Sequence, residues 1–145
     1  MTNKDSKAAS YPPPTPTAVS APFWEAAQEE RFVYQQCADC ARAVFPPRAH
    51  CPHCWSQTLA WQESTGEGTI ASFTVAHRPG HPAFAELAPF VLALIDVQDG
   101  FRLLSRLTQN PDAGLQVGDP VRLVWVASGD WKLPLFEPIP VDGGQ

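Results

Sequence analysis

A chain of 145 residues has room for one modest domain with a small appendage, and its apolar content of 44% is that of a globular protein. The formal net charge is −5, and no segment clusters enough lysine or arginine to neutralise a phosphate backbone, which counts against nucleic acid. No apolar run approaches the roughly 18–20 residues that span a bilayer, so no membrane partner is expected.

Residues 1–20 are mostly Ser, Thr, Ala and Pro, with Pro12, Pro13, Pro14 and Pro16 favouring extended, solvated backbone. They are expected to form a disordered arm or one laid on a partner. The stretch also lacks the apolar core of a secretory leader, so the expected compartment is the reducing cytoplasm.

A short helix is expected from Ser20. That residue can cap it, Pro22 fits its first turn and Glu25 is placed in the positive N-terminal turn. Phe23, Trp24 and Ala27 share one face. The stripe can pack on the chain's own ribbon, but two large aromatics are hard to bury in so small a domain, and docking onto another chain competes.

Four cysteines follow as two CxxC knuckles, Cys37-Ala38-Asp39-Cys40 and Cys51-Pro52-His53-Cys54, with ten residues between them and no cysteine elsewhere. Each CxxC sets two thiolates on one turn, and two facing knuckles complete a tetrahedral S4 set suited to zinc. Two disulfides are disfavoured by the missing leader. Redox use is disfavoured because neither CxxC opens a helix after a strand of a βαβ unit. With Cys37, Cys40, Cys51 and Cys54 as ligands the site is closed, so the zinc is expected to be structural. His50 and His53 flank Cys51 but are not needed as ligands. Short strands are expected at 32–34 and 43–45, and Trp55, Leu59 and Trp61 are expected to close the ribbon onto the next domain.

From Gly66 the pattern is all-β. Strands are expected at 69–75, 90–97, 101–107, 121–126 and 133–136, with a bend or bulge at Gly66-Glu67-Gly68. Asp99-Gly100 signals a type I′ hairpin, Gly118-Asp119-Pro120 marks another turn, and 108–117 has room for a helical turn. Pro134 requires an edge position because it has no N–H for a central ladder. The expected fold is mainly β: a helix and zinc ribbon over 21–65, an OB-fold barrel of about five strands over 66–140, with a plain meander as the alternative for some of those strands, and a tail at 141–145.

The chain offers no self-contained catalytic set. His77 and His81 lie in a loop with no free cysteine and no GxSxG elbow to serve. Asp96 and Asp99 are near one hairpin but are not thereby a carboxylate pair. Gly66-Glu67-Gly68 precedes a strand, unlike a dinucleotide loop.

Taken together, Phe23-Trp24-Glu25, the two knuckles, Phe45-Pro46-Pro47-Arg48, Gly66-Glu67-Gly68, Pro89-Phe90-Val91, Asp99-Gly100 and Leu133-Pro134-Leu135-Phe136 resemble one family over residues 20–140. It comprises small acyl-CoA-associated proteins with an N-terminal helix, a rubredoxin-like zinc ribbon and a C-terminal OB-fold, long labelled domain of unknown function thirty-five. The resemblance implies a non-catalytic accessory subunit of a thiolase-superfamily enzyme (a thiolase, acyltransferase or aldolase) that stabilises it and helps form the acyl-CoA site. As the alternative, it admits a hotdog-fold enoyl-CoA hydratase as the partner. All four ligands that some members lose are kept here.

On that reading the chain works in a hetero-oligomer. The helix bearing Phe23 and Trp24 and the loop 77–89, with Phe84 and Leu87 lacking obvious internal partners, should lie against the larger subunit. Arg42 and Arg48 are candidates to meet coenzyme A phosphates. A zinc-ribbon and OB-fold nucleic-acid module is the rival from another class. It is disfavoured because residues 66–140 hold five basic against eight acidic side chains, with Lys132 as their single lysine. A free-standing CoA-dependent enzyme is the third reading.

Overall fold

The computed structural model describes residues 13–78, 82–108 and 114–139. Its elements run α1 (Ala21–Gln28), β1 (Val33–Cys37), β2 (Ala43–Val44), β3 (Leu59–Glu63), β4 (Glu67–Ala76), β5 (Phe90–Val97), β6 (Phe101–Leu107), β7 (Pro120–Ser128) and β8 (Trp131–Pro138). A three-stranded antiparallel sheet, ordered β2-β1-β3, makes the ribbon, and β4-β5-β6-β8-β7 close into a barrel. The expected mainly-β architecture of helix, ribbon and five-stranded OB-like barrel is therefore what the chain adopts.

The barrel follows from alternation. In β5 and β6 every second residue is buried, placing Val91, Ala93, Ile95 and Val97 opposite Leu107, Ser105, Leu103 and Phe101. Gly66, with φ +76, turns the chain into β4. Gly68 serves differently. A Cβ there would collide with the Asp96 carbonyl oxygen, so only glycine lets β4 and β5 approach. The register slip falls between Ile70 and Ser72 and not at these glycines. There Ile70 exchanges backbone hydrogen bonds with the Gly118–Asp119 turn.

The hairpin at Asp99-Gly100 differs from the expected two-residue turn. Val97 pairs with Phe101, leaving three loop residues, and Gly100 N–H donates to Val97 C=O with Gly100 alone at positive φ (+109). This is a type I turn closed by a glycine bulge, because Gln98 joins the loop. The sharp two-residue hairpin lies instead between β7 and β8, with Gly129 (φ +59) at its first central position. Pro134 behaves as its missing N–H demands. β8 pairs with β7 throughout but with β6 only at Leu107–Phe136. Across that loose seam the buried Ser105 hydroxyl donates to the Pro134 carbonyl at 2.8 Å.

The helix takes its N-cap at Ser20 with Pro22 in the first turn, but the Ser20 hydroxyl makes no capping bond and instead accepts from Thr17 N–H. Because the first helical residue is Ala21, Glu25 falls beyond the first turn, contrary to its expected place. The larger correction concerns the aromatic face. Phe23 is 4% exposed, set among Phe32, Phe45 and Trp24 with centroid separations of 6.2, 5.7 and 4.9 Å. Phe32 is the hub: its ring also lies 5.9 Å from Phe101, 6.4 Å from Trp125 and 6.5 Å from Phe136. Helix, ribbon and barrel thus share one aromatic core, and Phe23 has no face left for a partner.

In the loop expected to dock, Pro82–Phe84 forms a 3-10 turn and Phe84 packs on Phe90 at 6.1 Å, so Phe84 does have an internal partner. His81 lies outside the described residues, as do most of the Pro-rich arm and the C-terminal tail. No helix among the described residues is long and apolar enough to cross a membrane.

Candidate metal centre

Each knuckle is built by the same local pattern. Cys37 N–H donates to the Arg42 carbonyl and Cys51 N–H to that of Ser56, while Ala41 N–H donates back to Cys37 C=O and Trp55 N–H to Cys51 C=O. The residue after each second cysteine takes positive φ, +66 at Ala41 and +69 at Trp55. Neither is glycine, the usual choice there, so this repeat carries no Gly signal in the sequence.

These turns bring Cys37, Cys40, Cys51 and Cys54 together with all four sulfurs within 4.8 Å of one another. Cys37 Sγ lies 3.6 Å from Cys54 Sγ, and Cys40 Sγ 3.7 Å from Cys51 Sγ. A regular tetrahedron with Zn–S bonds near 2.3 Å has sulfurs about 3.8 Å apart, so the donor set fits that ion in identity and spacing. Two amides support it, Cys40 N–H to Cys37 Sγ (3.4 Å) and His53 N–H to Cys51 Sγ (3.3 Å). Behind the site, Cys37, Cys51 and Val44 are buried with Leu59 packed against them.

The electrostatics divide the thiols. The Cys40 N–H lowers the Cys37 thiol to about 6 against the opposing effect of burial. At Cys54 the Ser56 N–H pulls downward, but burial and the sulfurs of Cys37, Cys40 and Cys51 outweigh it and push the thiol up to about 12. A divalent cation at the centre reverses this, since it stabilises all four thiolates together.

Among the described residues no other group of three or more His, Cys, Asp and Glu side chains gathers in this way. His50 Nε2 meets Gln57 and His53 Nδ1 meets Arg42, so neither enters the sulfur set. Asp96 and Asp99 part company: Asp96 forms a two-point ion pair with Arg102, and Asp99 accepts from the Ser64 hydroxyl.

Arg42 and Arg48 are both exposed. Arg42 Nη1 stands 3.4 Å from His53 Nδ1, whereas Arg48 is held only through its backbone, exchanging hydrogen bonds with the buried Gln35 amide at 2.8 and 3.0 Å. Neither has a carboxylate partner among the described residues, and no shared contact joins them.

Trp55 departs most from expectation. It does not close the ribbon onto the barrel; it stands 77% exposed at the second knuckle. Trp61 and Leu59 do turn inward, Trp61 to the main core and Leu59 to the cysteines. An open groove of about 320 Å³ lies between α1 and β1, but its one cation, Arg31, is already paired with Glu29 and Glu63.

Comparison with known proteins matches this division. Residues 24–60 fit the family model of the ChsH2 rubredoxin-like zinc ribbon domain, and residues 61–126 that of the ChsH2 C-terminal OB-fold domain. A probable enoyl-CoA hydratase alpha subunit from Thermomonospora curvata is 41% identical over 118 residues. That alignment takes in 80% of this chain but 36% of the relative, so the chain spans little more than a third of it.

A DUF35 domain-containing scaffold protein from Methanothermobacter thermautotrophicus is 30% identical across 68% of this chain and 74% of its own. Among solved structures, a chain of the Ltp2-ChsH2(DUF35) aldolase superposes with a TM-score of 0.77 at 37% identity, over 87% of this chain and 98% of that one. With the ribbon, the barrel and their order all matched, this chain belongs to the DUF35 family of ChsH2 type, a rubredoxin-like zinc ribbon joined to an OB-fold domain.

Proposed function

We propose that this chain is a non-catalytic accessory subunit of a thiolase-like enzyme that acts on acyl-CoA thioesters. In that hetero-oligomer it carries one structural zinc on Cys37, Cys40, Cys51 and Cys54. The observation that carries the reading is the fit to almost the whole of one chain of an aldolase that pairs Ltp2 with ChsH2. The four-cysteine centre supports it from within, because a cation with four protein thiolates has no open position for substrate and serves to brace the ribbon.

The barrel's charges support the same reading over a nucleic-acid module. Arg102, Arg122 and Lys132 are each engaged by a carboxylate instead of being spread along a groove. If the chain touches coenzyme A, Arg48 is the better phosphate donor, since its guanidinium has no partner among the described residues while Arg42 already faces His53.

The hydratase subunit among the relatives favours one alternative, a partner that hydrates enoyl-CoA. The test is purification of the native assembly, identification of the companion chain by mass spectrometry, and acyl-CoA turnover by each chain alone and together. A thiolase-like companion with zinc near one per small chain is expected. Turnover of acyl-CoA by the small chain alone overturns the proposal, and a hydratase companion moves it to the alternative.

A further inference from the structure

The tip of the second knuckle bears costs that the ribbon itself does not require. Trp55 is the most exposed large apolar side chain described, at 77% against 64% for Leu104 and Val117. Its backbone is held at φ +69, where a bulky side chain is strained and glycine is free. Ala41 makes the equivalent hydrogen bond at φ +66 with only a methyl group, so the turn closes without an indole.

The ribbon also carries a cation without a carboxylate partner. In a chain with 15 acidic and 10 basic residues, Arg31, Arg102, Arg122 and Lys132 each have a carboxylate partner. Arg42, beside His53 on this tip, has none among the described residues. Asp39, whose carboxylate accepts the Ser56 hydroxyl, is not paired with Arg42 among the described residues.

We infer that Trp55 is the anchor by which this chain docks on its larger subunit, entering an apolar pocket, with Arg42, which meets His53 of the same knuckle, facing carboxylates at its rim. This rests on the accessory-subunit reading and places the contact on the ribbon, away from the buried Phe23. Tryptophan and arginine are the residues most often dominant at interface centres, because an indole brings large apolar area and one N–H donor at little rotamer cost. A guanidinium on the same ribbon, without a carboxylate partner among the described residues, complements an acidic rim and speeds encounter. Leu104, the next candidate, lies on the outer face of β6 between Arg102 and Arg106, which break up any apolar stripe there.

The test uses the full-length chain and the companion subunit recovered from the native assembly, with association and dissociation measured by surface plasmon resonance. Trp55→Gly suits the left-handed backbone, so the ribbon folds, and binding is expected to weaken about 30-fold, mainly through faster dissociation. Ala41→Gly makes the same backbone change without touching the indole and is expected to leave binding unchanged. Arg42→Glu is expected to slow association about tenfold and to abolish its decline with added salt. Wild-type affinity in Trp55→Gly overturns the anchor while leaving the accessory reading intact. Failure of the wild-type chain to bind any thiolase-like companion overturns both.

Discussion

Trp24 on α1 meets Trp131 at the start of β8 edge to face, with centroids 5.9 Å apart and planes at 82°. Two polar ties flank the contact: Gln28 Nε2 donates to the Asp130 carbonyl at 2.7 Å, and Lys132 pairs with Glu30 at 2.8 Å. The helix is therefore fastened to the β7–β8 hairpin.

Trp24→Ala removes that fastening while Phe23 stays in the core. Loss of the half-buried indole should cost about 2–3 kcal/mol. A lower urea midpoint, with proteolysis beginning inside residues 20–31, is the expected result.

Gly68→Ala tests the close approach of β4 and β5. The new methyl runs into the Asp96 carbonyl oxygen and meets Ile95 Cγ2 at 3.1 Å, and backbone must move to admit it. A loss of about 2–3 kcal/mol is expected from such overpacking. Gly118→Ala, with nothing within 4 Å but φ +96, should cost about 1 kcal/mol from backbone strain alone. Thermal unfolding of the two variants separates the mechanisms.

Asp96 and Arg102 are cross-strand partners joined at 2.6 and 3.1 Å, and the hydrogen bonds from Arg102 hold the Asp96 carboxyl below its ordinary value. A lowered folded value means the pair contributes above the ordinary carboxylate range, and this is lost as pH falls through the lowered one. The wild-type chain should show a small extra loss of stability on acidification that Asp96→Asn lacks. Both side chains are about half exposed, so the difference should shrink in 0.5 M salt.

The metal centre has its own pH signature. In the metal-free ribbon the depressed Cys37 thiol adds stability above its ordinary value, lost as pH falls towards about 6. The raised Cys54 thiol adds stability below that ordinary value, lost as pH rises towards about 12. Zinc must displace the Cys54 proton, so its affinity should fall at least about tenfold per pH unit on acidification below neutrality. Chelator competition between pH 7 and 5 measures this, and Cys51→Ala should lose the metal at any pH.

Trp55→Gly should leave the free chain about as stable as wild type. Relief of the left-handed strain, about 1–2 kcal/mol, roughly offsets the backbone entropy that glycine adds to the unfolded chain. An unfolding free energy within about 1 kcal/mol of wild type is expected for the isolated chain.

The barrel strands could be read from the sequence because turn residues bracket short stretches rich in apolar and β-branched residues. The ligand cysteines were legible because their spacing is itself the geometry. The helix stripe of Phe23, Trp24 and Ala27 announced an apolar face but not its destination. The surface it meets is made by Phe32, Phe45 and Trp131, which lie far apart in the chain. Trp55 misled for the opposite reason, since an aromatic after a knuckle looks like core until φ and exposure are known. At Asp99-Gly100 one added residue, Gln98, exchanged one turn type for another with no change in the local motif.

The ring of Phe45 lies stacked on that of Phe101, 5.0 Å apart at 18°. Phe45 belongs to the ribbon and Phe101 to the barrel, and the family models divide the chain between residues 60 and 61, inside β3. A chimera that joins one relative's ribbon to another's barrel at that point would leave half of a stacked pair facing a stranger. The heritable unit is accordingly the whole of helix, ribbon and barrel, and grafts between relatives should hold together only when Phe32, Phe45 and Phe101 travel as a set.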